Sequence, residues 1–411
     1  MTTPGSPPTT ATVPLPPPAR PDRAPLKGRL AVLAVTLGIF TIVTTEILPV
    51  GLLTRIGADF GISDGTAGLM MTLPGFLAAC AAPAVTVATA RIDRRLMLCA
   101  FIALLALADF LAAAAPGYGT VLFSRVLVGV VIGGFWSIGA GLAARLVPPE
   151  SVARATAVIF SAVPLGSVIG VPAGTYLGDL AGWRTACAAV GALAVGVLVL
   201  TALVTPPLPA GRATDPALLR SLLRGTHTRF ALAMTFLAVL AHFGAYTYVT
   251  PFLERTTHLA SAPTVTVFLL VYGVAGVAGN FAGGALAARR PHTLFGAAAG
   301  LLALATLLLP VLGRGPAGAL ALLVVWGAAY GAVPVASQTW FARAAPGAPE
   351  AASVLFTASF QATLSLGALA GGLVVDRASP SAVLTLGGST AVLVVLLAWL
   401  HRVKYVDGDR G

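Results

Sequence analysis

The chain is predicted to be an all-α membrane protein, with twelve transmembrane helices arranged as two pseudo-symmetric six-helix bundles. Three observations carry this. Of 411 residues, 57% are hydrophobic and only 9% charged, and the mean hydropathy of +0.92 lies far above the soluble range. The apolar residues fall in runs of about 20, the helical length that crosses a bilayer core of roughly 30 Å, and not in the alternating ten-residue strands of a transmembrane barrel. The longest internal hydrophilic break, TPPLPAGRATDPALLRSLLRGTHTR from 205 to 229, separates six runs from six.

The runs predict spans at 30–53, 65–88, 96–115, 119–142, 156–179, 183–205, 229–252, 263–287, 293–313, 317–341, 351–375 and 381–401. The first 29 residues, rich in Pro and Thr and ending on basic residues, read as a disordered cytoplasmic tail. They lack the basic start, short apolar core and small-residue cleavage site of a secretory signal, so the first span is expected to be retained as an anchor. The resulting domains are a tail (1–29), a first bundle (30–205), a cytoplasmic linker (206–228), a second bundle (229–401) and a short cytoplasmic tail (402–411).

Lys and Arg in short loops stay on the cytoplasmic side of a membrane. With both termini inside, 19 of the 25 basic residues fall on the cytoplasmic face, among them Arg91, Arg94, Arg95, Arg289 and Arg290. This topology accounts for the net charge of +11 without a nucleic-acid partner. Cys80, Cys99 and Cys187 sit within spans at spacings that suggest neither disulfides nor a metal site, and read as small buried residues. No phosphate-cradling loop, nucleophile elbow or His/Glu cluster is visible, which speaks against an enzyme and implies no cofactor. An enzyme or sensor would call for a catalytic constellation or a sizeable soluble domain.

A duplicated chain should repeat features at a fixed offset. Gly129 and Gly133 of the fourth span recur as Gly327 and Gly331 of the tenth, 198 positions on; Gly170, Gly174 and Asp179 recur as Gly367, Gly371 and Asp376, 197 positions on. Two six-span halves joined by a cytoplasmic loop is the plan of major facilitator transporters, whose substrate site lies near the midplane between halves that rock against each other. The segments TTEILPVGLLTRIGADFGIS, RVLVGVVIGGFWSIGAGLAARLVPP, GVPAGTYLGDLAGWR and AHFGAYTYVTPFLE resemble the twelve-span drug/proton antiporter branch of the major facilitator superfamily. The likeness is to its bacterial sugar-efflux, arabinose-efflux and chloramphenicol-resistance exporters, and it runs from about residue 30 to 400. It implies the major facilitator fold and proton-coupled efflux of small molecules such as drugs or sugars from a bacterial cell (inner) membrane. A monomer driven by the proton gradient is expected, with a facilitator or importer of a small polar metabolite as the alternative.

The family's motif between spans two and three reads Gly-x-x-x-Asp-Arg-x-Gly-Arg-Arg. Here TVATARIDRR keeps the basic pair as Arg94 and Arg95, with Thr86, Ala90 and Asp93 in place of Gly, Asp and Gly. The second half has GALAARRPH, with Ala288 at the acid position. In the fifth span, GSVIGVPAGTYLG keeps a small-residue face of Gly166, Gly170, Pro172 and Gly174, which reads as a close-packed, slightly kinked helix.

Ionisable side chains within spans are costly and are rarely lipid-facing. Glu46, Arg125 and Asp109 each lie about 10 Å below the outer surface, at 1.5 Å per helical residue. One arginine thus has two candidate carboxylate partners. A permanent ion pair is one reading; the other, which the resemblance implies, is that Glu46 exchanges a proton and Arg125 tunes it. For Asp109, a polar interhelical contact is the favoured reading. Substrate contacts are expected from Phe135, Trp136, His242, Tyr246, Tyr248, Tyr272, Asn280, Trp326, Tyr330, Gln338, Phe360 and Gln361, polar and aromatic residues on cavity-lining spans. His242 and Tyr246 share a helix face, and His242 is a candidate for proton movement.

Overall fold

The computed structural model describes residues 26–88, 92–139, 142–209, 224–259, 261–287, 291–344 and 349–406. The Pro-rich tail through residue 25, linker residues 210–223 and the basic residues Arg91, Arg289 and Arg290 lie outside the described residues. Among the described residues, twelve helices are long and apolar enough to cross a membrane: Leu26–Phe60, Asp64–Val85, Arg94–Ala113, Tyr118–Trp136, Pro149–Ala181 and Trp183–Val204 in the first half. Thr228–Arg255, Pro263–Gly284, Thr293–Leu312, Pro316–Phe341, Leu355–Arg377 and Pro380–Leu400 form the second.

Each half packs as its own bundle. The first bundle pairs its second span with its fourth and its third with its sixth; the second pairs the eighth with the tenth and the ninth with the twelfth. The two meet where the second span lies along the eleventh and the fifth along the eighth. Lipid is as apolar as Leu, so such contacts rest on close packing of small residues and not on expulsion of water. The repeated glycines supply it at the same offset on both sides of each contact. A Cβ on Gly129 or Gly133 would meet the carbonyls of Pro74 and Ala78, and one on Gly327 or Gly331 would meet those of Tyr272 and Gly276, each partner again 198 positions on. Gly331→Leu is therefore expected to abolish the monodisperse peak in detergent chromatography, because backbone cannot step aside. Gly196→Leu, at a position with open space around its Cβ, should leave that peak unchanged.

The first span runs seven residues beyond its predicted end. It stops where Gly61 takes a φ of +63° and donates to the Ala58 carbonyl at 3.3 Å, while Ile62 donates to that of Gly57 at 2.9 Å. This is a Schellman ending, which needs the left-handed conformation that glycine adopts freely. In the fifth span, Gly166–Gly170 form a π turn just before Pro172, the Val171 N–H reaching back to the Gly166 carbonyl. Proline has no N–H for the Val168 carbonyl and its ring crowds that group, so the widened turn relieves both problems. Gly166, Gly170 and Gly174 then seat the helix on Val43, Thr44 and Leu48 of the first span. Asp93, at the altered motif, caps the third span by accepting from the backbone N–H groups of Arg95 and Leu96.

Cys99 and Cys187 are half-buried, but Cys80 is exposed and not buried as expected. On a membrane-crossing helix such exposure is tolerated, because lipid accommodates a small apolar thiol as well as a protein core does.

Candidate functional site

A cavity of about 410 Å³ lies between the bundles. Its walls come from Val43, Glu46 and Ile47 on the first span, Trp136 on the fourth, and Phe160, Pro164 and Ser167 on the fifth. The second bundle adds His242, Phe243 and Tyr246, then Tyr272 and Asn280, Tyr330 and Gln338, and Phe360 and Gln361. These positions run from mid-span towards the face where the first span begins and the twelfth ends.

The opposite half is bridged from bundle to bundle. Arg255 pairs with Asp64 at 2.7 Å. Asp376 accepts from the Ser63 hydroxyl at 2.6 Å and the Gly65 N–H at 2.8 Å. Thr54 donates to Glu254 at 3.2 Å, and Thr250 donates to the Val50 carbonyl at 2.8 Å. Apolar packing follows the same line: Val50 and Met71 join the core of the second bundle, while Tyr248 and Val375 join a cluster of the first.

Glu46 is buried at the base of the cavity. Its Oε1 accepts a hydrogen bond from Gln361 Nε2 at 2.9 Å, a contact from the first bundle to the second. The expected pairing of Arg125 with a carboxylate is not what the structure shows. Among the described residues the ion pairs are Arg55–Asp179, Arg184–Asp59 and Arg255–Asp64. Arg125 donates instead to three backbone carbonyls, those of Thr45 at 3.0 Å, Glu46 at 3.1 Å and Met70 at 3.1 Å. Two prolines explain this. Pro49 and Pro74 lie inside the first and second spans, and each leaves the carbonyl four residues earlier, Thr45 and Met70, without its helical N–H. Inside a membrane an orphaned carbonyl must find another donor, and the five N–H groups of a guanidinium can serve several acceptors at once. Asp109 lies behind the first span, outside the cavity lining, with Oδ2 accepting from the Thr45 hydroxyl at 3.0 Å.

On the second bundle, side chains of the seventh, eighth and tenth spans form a series of near-parallel rings. His242 stacks on Tyr330 with 6° between planes, on Tyr246 at 5.1 Å and 17°, and Tyr246 stacks on Tyr272 at 4.8 Å and 25°. Trp326 closes the series edge-on, its indole N–H donating to His242 Nδ1 at 3.1 Å. Trp136, His242, Tyr246, Tyr272, Asn280, Tyr330, Gln338, Phe360 and Gln361 all line the cavity. Three expected contacts lie elsewhere. Phe135 faces the first bundle's core against Gly38, because the fourth span is turned to present Trp136 instead. Tyr248 points away to donate to the Ala368 carbonyl at 2.8 Å, and Trp326 lies behind the rings it supports.

Sequence reasoning missed Thr45 and the contacts of the opposite face. The hydroxyl of Thr45 gives no signal of its own; the free carbonyls had one in Pro49 and Pro74, which the sequence reading did not use.

The profile of the Major Facilitator Superfamily matches residues 34–362. The chain is 35% identical over 368 residues to the "Transcription regulatory protein OpdE" of Pseudomonas aeruginosa, covering 89% of this chain and 91% of that one. It is 31% identical over 370 residues to the "Purine ribonucleoside efflux pump NepI" of Escherichia coli O6:K15:H31, covering 89% and 92%. Its fold resembles that of a bacterial homologue of the human lysosomal transporter Spinster, crystallised inward-facing and unoccupied, with a TM-score of 0.70, 16% identity and coverage of 91% and 95%. Twelve membrane-crossing helices in two bundles, a cavity between them and a profile match over most of the length make this chain a member of the Major Facilitator Superfamily, a transporter and not an enzyme.

Proposed function

We propose that the protein exports a small molecule from the cytoplasm in exchange for protons, by alternating access across a bacterial cell membrane. The observation that carries this reading is Glu46: a buried carboxylate on the first bundle that lines the cavity and is held by Gln361 of the second. When Glu46 is ionised this bond is charge-assisted and strong; when it is protonated the bond falls to the strength of a neutral pair. Protonation thus alters a contact between the two moving bodies at the place where cargo sits. The excess of basic residues favours both termini in the cytoplasm, which sets the cavity of this reading on the cytoplasmic side and the bridged half on the outer side. Names of relatives favour efflux, with purine ribonucleosides as one cargo class; drugs and sugars are those implied by the sequence resemblance. The protein is taken to act as a monomer.

Transport into inverted membrane vesicles tests this. Cargo accumulation should rise when the vesicle lumen is made acidic and collapse on adding a protonophore; equal accumulation with and without the gradient would refute proton exchange.

A further inference from the structure

Among the described residues, two polar atoms at the cavity have no partner. Gln361 is buried, and while its Nε2 holds Glu46, its Oε1 accepts nothing; the Tyr330 hydroxyl, also buried at its oxygen, has no partner either. The orientation of the amide follows from chemistry, since a carboxylate acceptor must face the NH₂ end and the oxygen is therefore the free end. An orphaned buried polar atom is costly, and native proteins leave few of them. Both belong to side chains that line the cavity, so a small rotation of either side chain would present its oxygen to a bound cargo molecule. One needs a donor and the other can give to an acceptor.

The remaining walls narrow the chemistry. Tyr246, Tyr272 and Phe360 offer flat apolar faces, which favour a ring in offset-stacked or edge-on contact. Among the described residues no Lys or Arg lines the cavity and Glu46 does, so a phosphate or carboxylate on the cargo would be desolvated without a counter-charge. We propose that the cargo is an uncharged flat heterocycle with a hydrogen-bond donor beside an acceptor on one edge, docked on the amide oxygen of Gln361 and the hydroxyl of Tyr330. Gln361 is then the positioning residue that joins cargo to Glu46: one end of a single amide holds the acid and the other holds the cargo. This rests on the cavity being the transport site.

Binding to the purified full-length protein in detergent, measured by equilibrium dialysis, tests the assignment with four probes. Inosine carries a ring N–H beside a carbonyl; 1-methylinosine lacks that N–H; inosine 5′-monophosphate adds the anion; ribose lacks the ring. Inosine should bind, with 1-methylinosine and the monophosphate each weaker by about tenfold or more, the effect of one lost hydrogen bond or an unpaired buried charge. Ribose should not bind at the same concentration. Gln361→Leu and Tyr330→Phe should each weaken inosine by about tenfold with an unchanged chromatographic profile. In Gln361→Leu the penalty for 1-methylation should vanish, a result that loss of packing alone does not produce. Binding of ribose or the monophosphate as tight as that of inosine, no binding of inosine, or a methylation penalty that persists in Gln361→Leu would each overturn the proposal. Inosine bound with this pattern but not moved in vesicles would overturn the transport reading alone. Gradient-driven flux of a different cargo, indifferent to Gln361→Leu, would overturn this assignment and leave transport standing.

Discussion

Glu46→Gln is expected to keep cargo binding and cargo-for-cargo exchange while gradient-driven export falls to the level of vesicles without the transporter. The amide oxygen of the new side chain can still accept from Gln361 Nε2, so the bridge between bundles seen at 2.9 Å is preserved in shape. What is removed is the capacity to take up and release a proton, and with it any dependence of cargo movement on pH. Asp109→Asn is the informative contrast. Asp109 touches Thr45 and not the cavity, and an asparagine oxygen accepts from that hydroxyl equally well. Export in this variant should stay within about twofold of the parent, since a neutral hydrogen bond of similar geometry replaces the original. Parallel counterflow and pH-jump assays on the two variants separate the roles; loss of coupling in Asp109→Asn with retention in Glu46→Gln would exchange them.

Arg125→Leu should be among the most damaging single changes in the chain. It strands the carbonyls of Thr45 and Met70, which the prolines leave without a helical donor, in a buried apolar setting, and each buried group without a partner costs about 1–3 kcal/mol. The total, several kcal/mol, is comparable to the whole stability of many folded domains. Little folded protein should be recovered from membranes, and the remainder should unfold in detergent well below the parent temperature. Arg125→Lys retains the charge but not the planar fork that reaches several acceptors, so it should fall between the two. The same measurement on Glu46→Gln discriminates between causes. If carbonyls hold the arginine, that variant melts near the parent; a drop as large as that of Arg125→Leu would mean that attraction to the Glu46 carboxylate holds it.

The architecture was legible because a bilayer leaves few options. A chain with runs of 20 apolar residues must satisfy its backbone within helices, and the twelve spans found among the described residues follow the hydropathy, with the first ending and the fifth beginning about two turns beyond the predicted limits. The glycine repeat was legible as a spacing, and its meaning became clear only when Gly129 and Gly331 were seen pressed against carbonyls of neighbouring spans. Depth arithmetic put Arg125 level with Glu46 and Asp109, but depth says nothing about which way a guanidinium turns. The deciding signal lay four residues before two prolines. Phe135 and Trp136 are adjacent and so about 100° apart around one helix, which lets Trp136 line the cavity while Phe135 faces the core; the expectation that both line it overlooked that angle. Contacts such as Ser63 with Asp376 join positions more than 300 residues apart, and short polar residues at span ends look alike in sequence whether they face water or each other.

The bridged half opposite the cavity has a consequence for the cell that holds this protein. A carrier with an ionisable group at mid-membrane is one continuous thread of water away from being a proton leak, and a leak scales with the number of copies. The ion pair of Arg255 with Asp64, the clasp of Asp376 on Ser63 and Gly65, and the apolar packing beneath them place electrical insulation between Glu46 and the medium on that side while the cavity faces the other way. A membrane crowded with idle copies can then hold its voltage, and current passes only as fast as the insulation is taken apart and rebuilt.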